Sequence, residues 1–121
     1  YMEDNRFFEG IIQFDSSVYE MIAAMTTLES KGVAGMRTTF GDTVGNLFGR
    51  KNAMDGVNIQ TLEDGSLQIE LHIAVHYGYR IPDIALRLQD RVKSALVSMT
   101  DVTVTSVDIY VEDIVFEGTV S

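Results

Sequence analysis

His72 and His76 are the only histidines of the 121-residue chain, which contains no cysteine. They share a stretch with Glu70, in which Ser66, Gln68, Glu70, His72, Ala74 and His76 alternate with Leu67, Ile69, Leu71, Ile73, Val75 and Tyr77. Such alternation is the period-2 pattern of a strand with one buried face. Four positions along an extended strand span about 13 Å, too far for two ligands of one ion. The histidines therefore read as residues of a polar sheet face, and no metal or other cofactor is expected.

Glu70 could meet Asp108 and Glu112 across adjacent strands, and paired carboxylates serve acid–base chemistry when a cleft encloses them. Nothing in the sequence builds that cleft, so a solvated sheet face is the simpler expectation. Gly41, Gly45 and Gly49 with Arg50-Lys51 lack the order of a phosphate-binding loop, and Asp42 would repel an anion there. Ser17, three residues before Glu20, has the spacing of a helix-capping box, which accounts for it without a nucleophile's role. What does point to function is the polar face itself, crossed by Tyr110, His72 and His76, because amphipathic aromatic side chains are favoured at interfaces. The candidate interaction face comprises Glu70, His72, His76, Asp108, Tyr110 and Glu112; no catalytic residue is assigned.

The elements that must position this face follow from the chain in order. Residues 7–14, with Phe8, Ile12 and Phe14 on one side, predict a short first strand. A helix begins at Ser17, with Val18, Ile22, Met25 and Leu28 as its buried stripe and Gly32 as its stop. Val33–Met36 is long enough for a brief strand only, and the glycines of 41–49 at four-residue spacing suggest a packing or docking segment. Two alternating runs meet at Asp64-Gly65, a hairpin signal in which both turn residues would take positive φ. Pro82 opens a long helix whose stripe is Ile84, Ala85, Leu88, Val92, Ala95, Leu96 and Met99. Val102 and Val104 are out of phase with Val107, Ile109 and Val111, which predicts a bulge near Thr105-Ser106 in the last strand. The sum is an α+β fold: a two-layer sandwich with a mixed sheet and central hairpin, covered on one face by two helices.

A length of 121 residues, 45% of them hydrophobic, fits one domain with a real core. Tyr1, ahead of Met2, reads as a residue added in expression. The net charge of −9 sets a repulsive field against a phosphate backbone, so no nucleic-acid partner is expected. Arg87, Arg91 and Lys93 share the long helix with Asp83 and Asp90 and read as a solvated, ion-paired face. No apolar run reaches the roughly twenty residues of a membrane span, so direct insertion is not expected either.

Several runs together resemble a known family: Gly49-Arg50-Lys51-Asn52, Gly56-Val57, Val75-His76-Tyr77-Gly78, Ile81-Pro82, Val92-Lys93, Ser98-Met99-Thr100 and Val107-Asp108-Ile109-Tyr110-Val111. In order and spacing they are similar to the alkaline-shock protein family, the envelope-stress and general-stress proteins of Gram-positive bacteria. The likeness extends from Gly10-Ile11-Ile12 through Val111 and includes Gly32–Met36. It implies a cytoplasmic, non-enzymatic protein that forms homo-oligomers and is held near the membrane by an anchor protein. Members of about this length resemble housekeeping relatives, implying an alternative role as accessory proteins of lipid-metabolism enzymes. This chain departs from the family habit at Glu112-Asp113, where a Gly-Val step is usual, so its last strand should end differently.

Overall fold

One strand organises the sheet. A computed structural model of the chain describes residues 10–36 and 54–116, and in these the elements are α1 (Ser16–Glu29), β1 (Val33–Met36), β2 (Val57–Thr61), β3 (Leu67–His76), α2 (Ile81–Thr100) and β4 (Val104–Val115). β3 pairs antiparallel with β1 and β2 and parallel with β4. A strand has only two edges. β4 follows β3 along its whole length, from Leu67 opposite Val104 to His76 opposite Val115. β1 and β2 must therefore share the other edge end to end, β2 on residues 67–71 and β1 on residues 73–75. Donor directions agree: Leu67 and Tyr77 donate to the carbonyls of Thr103 and Val115, whereas His72 and His76 donate to those of Gly56 and Gly32.

Alternation along β3 puts Leu67, Ile69, Leu71, Ile73 and Val75 on one face, each at most 1% exposed, and both helices cover that face. α2 contributes Ile84, Leu88, Val92 and Leu96, spaced by four and all buried. Burying such side chains stabilises the fold by roughly 1.5–3 kcal/mol each, before conformational entropy is charged against it. Pro82 lies in the first turn of α2, and Asp101, with φ of 63°, ends it by donating its N–H to Val97. The result is the expected two-layer α+β sandwich with a mixed sheet.

Several local expectations are corrected. Residues 11–15 take no regular structure, and Ile11 and Ile12 are 83% and 87% exposed. Both edges of β3 are already occupied, leaving a first strand nowhere on it to dock; residues 7–9 of that expected strand lie outside the described residues. α1 is capped by Asp15, whose carboxylate accepts from the N–H and hydroxyl of Ser17 at 3.1 and 2.6 Å, so Ser17 lies inside the helix. Its buried residues are Ala23, Ala24 and Thr27, while Val18, Met25 and Leu28 stay exposed. The hairpin turn takes positive φ only at Gly65 (90°), because Gly65 N–H bonds to Leu62 and Asp64 accepts from Ser66 N–H and Oγ, closing a five-residue connection.

Gly32 is where α1 turns into β1, at φ of 91°, and a Cβ there would stand 2.7 Å from Ile84 Cδ1. Both conformation and space demand glycine. Tyr77, expected on the core face, is 67% exposed just past β3, with its ring 4.7 Å from that of Phe116. Met99 is likewise exposed at the end of the α2 stripe. The bulge expected in β4 is present: the ladder skips Thr105. A second skip occurs at Glu112, and β4 then continues to Val115. The glycine segment at 41–51 lies outside the described residues.

Candidate functional site

The sheet face opposite the helices centres on His72. Its neighbours are set by strand geometry. Glu70 is two residues back on β3 and therefore on the same face, while Tyr110 is the direct partner of His72 on β4. Glu112, the residue the ladder skips, is freed by its bulge to reach the same ring. His72 Nε2 lies 2.9 Å from Glu70 Oε2, and Nδ1 lies 2.5 Å from Glu112 Oε2. The imidazole stacks on Tyr110, with centroids 4.8 Å apart and planes 14° from parallel.

Burial is graded through this cluster. The His72 side chain is 11% exposed, whereas those of Glu70 and Glu112 are 40% and 37% exposed. Making both bonds at once needs two protons among the three groups: an imidazolium between two carboxylates, or a neutral ring with one carboxylic acid. The arrangement is a clamp that fixes ring orientation and, through the stacking, the position of Tyr110, itself 46% exposed. It holds no nucleophile, and among the described residues no group of three or more His, Cys, Asp or Glu side chains is placed to hold a metal ion.

Of the six residues expected on this face, Glu70, His72, Tyr110 and Glu112 form one cluster. Asp108 stands opposite Glu70 in the β3–β4 register and lines a shallow polar hollow with Asn58, Gln60 and Gln68. His76 lies apart at the far end of β3, its ring 6.3 Å from that of Tyr79. Sequence reasoning missed the burial of His72 beneath Tyr110 and an apolar groove on the helical side. Val18, Met21, Ile22, Met25 and Met99 line that groove.

This geometry, an α+β sandwich with an organised polar face, accompanies a sequence match. The pattern of the alkaline-shock protein 23 family, described by a cell envelope-related function, matches residues 5–116. The chain belongs to the alkaline-shock protein 23 family. Among its relatives, the uncharacterized protein Spy1535 of Streptococcus pyogenes is 32% identical over 110 residues, covering 91% of this chain and 83% of the relative. The uncharacterized protein YqhY of Bacillus subtilis is 31% identical over 108 residues, covering 89% and 79%. Both relatives come from Gram-positive bacteria. No solved structure matches the chain. In this family member, no helix among the described residues is long and apolar enough to cross a membrane.

Proposed function

We propose that this chain is a non-catalytic docking protein of the cell envelope, which associates with itself and with partner proteins through the helix-free side of its sheet. The observation that carries this reading is the His72 clamp. An exposed aromatic side chain, Tyr110, is held in one orientation by a stacked histidine that two carboxylates grip. Rigid aromatic side chains with a polar tip contribute contact area at little entropic cost, which suits them to interfaces. A membrane-anchored partner would hold the chain at the envelope without a span of its own.

The test is Tyr110→Asp, which puts a charge where the ring lies and leaves the helical core untouched. Circular dichroism should show an intact fold, light scattering after gel filtration a smaller particle, and fractionation of the native cell less protein with the membranes. A Tyr110→Asp protein whose particle size and membrane fraction both match the parent's would overturn the proposal.

A further inference from the structure

We infer that the outer edge of β4 is a self-pairing edge: a second copy adds its own β4 antiparallel across Val107–Val111, about a two-fold axis at Ile109. This rests on the self-association proposed above and specifies where it happens.

The direction of the backbone groups comes first. Carbonyls of Thr103 and Val115 accept from β3, and along a strand these groups alternate sides from residue to residue. The ladder skips Thr105 and Glu112, each skip moving the alternation by one. Between the two bulges Ser106, Asp108 and Tyr110 therefore turn N–H and C=O toward β3, whereas Val107, Ile109 and Val111 turn theirs away. Val107 supplies a check. Its carbonyl accepts from Gln89 Nε2 of α2 at 2.9 Å, not from β3. Among the described residues β4 pairs only with β3, so apart from the Val107 carbonyl held by Gln89 this edge offers backbone groups that no strand uses, the kind that template strand addition.

Charge and register then select the occupant. With the axis at Ile109, Val107 faces Val111 of the second copy in a hydrogen-bonded pair, and Asp108 faces Tyr110 in a non-hydrogen-bonded one. Carboxylate meets phenol, not carboxylate. An axis at Tyr110 would set Asp108 against Glu112, and axes at Val107 or Val111 would run into the bulge at Thr105 or Glu112. One antiparallel register therefore uses every outward group between the bulges and avoids like charges, and it is self-complementary, as a two-fold interface requires. On pairing, Val111 N–H of the second copy takes the place of Gln89 on Val107.

Because the chain has no cysteine, cross-linking reads the register directly. Asp108→Cys mixed with Tyr110→Cys should form a disulfide-linked dimer under mild oxidation, since facing Cα atoms of such a pair lie about 4.5 Å apart. Either variant alone should not, because like positions become diagonal neighbours about 7–8 Å apart. Ile109→Pro removes an N–H that β3 does not use, a substitution edge strands tolerate. It should keep the circular dichroism of the parent and weaken self-association about tenfold or more in sedimentation equilibrium. Self-association that persists in Ile109→Pro, with no dimer specific to the mixture, would overturn the edge while leaving the docking proposal standing. A parent monomeric at every concentration would remove both, and if Ile109→Pro does not fold, the cross-link decides.

Discussion

Ser17 donates to Asp15 first through its hydroxyl and then through its backbone N–H, and both bonds favour the ionised carboxylate, holding its pKa below the ordinary 3.8. Ser66 does the same for Asp64 in the hairpin turn. A carboxyl depressed in the folded state contributes stability that is fully present above its unfolded value and lost as pH falls through the folded one. Acid should therefore loosen the start of α1 and the β2–β3 turn as pH drops below 3.8. Asp15→Asn keeps an acceptor at the cap but no titrating group, so its melting temperature should fall less steeply with acid than the parent's; equal slopes would contradict the assignment. At this scale the sequence was partly legible. The alternation around His72 placed it on the polar face with Glu70, but its burial under Tyr110 and its contact with Glu112, forty residues away, depend on the pairing of β3 with β4.

Leu88 and Met25 illustrate what helical periodicity does and does not reveal, because both belonged to expected buried stripes. Leu88 is 0% exposed and Met25 is 50% exposed. Leu88→Ala should cost about 2–5 kcal/mol in urea unfolding and Met25→Ala within about 0.5 kcal/mol, and comparable losses would refute the burial of one face of α1. In α2 the four-residue spacing of Ile84, Leu88, Val92 and Leu96 marks the buried side, while Leu86, Val97 and Met99 stay exposed. In α1 the small residues Ala23 and Ala24 face the core instead, and Thr27 joins them because its hydroxyl donates to Ala23 O at 2.7 Å. Of the expected stripe only Ile22 packs against the core, so large side chains were an incomplete signal there. The hairpin and the bulge at Thr105 were legible because each is encoded within a few residues, whereas residues 11–15, read as part of a first strand, find no free edge on β3, a property of the assembled sheet.

The net charge of −9 bears on the molecule as a whole. Two copies repel at long range, and salt screens that repulsion while leaving backbone hydrogen bonds nearly untouched. Self-association should therefore tighten from low to high salt in sedimentation, and weakening would mean that opposite charges, not strand pairing, hold the copies together. Membership of a family with a cell envelope-related function rests on residues 5–116. The division of one edge of β3 between two strands has a further consequence. Met36 is pinned opposite Ile73 and Val57 opposite Leu71, two positions away on one strand, so residues far apart in sequence are held as near neighbours along one edge. Both β1 and β2 have β3 as their pairing partner among the described residues, so a break in β3 would release two strands at once.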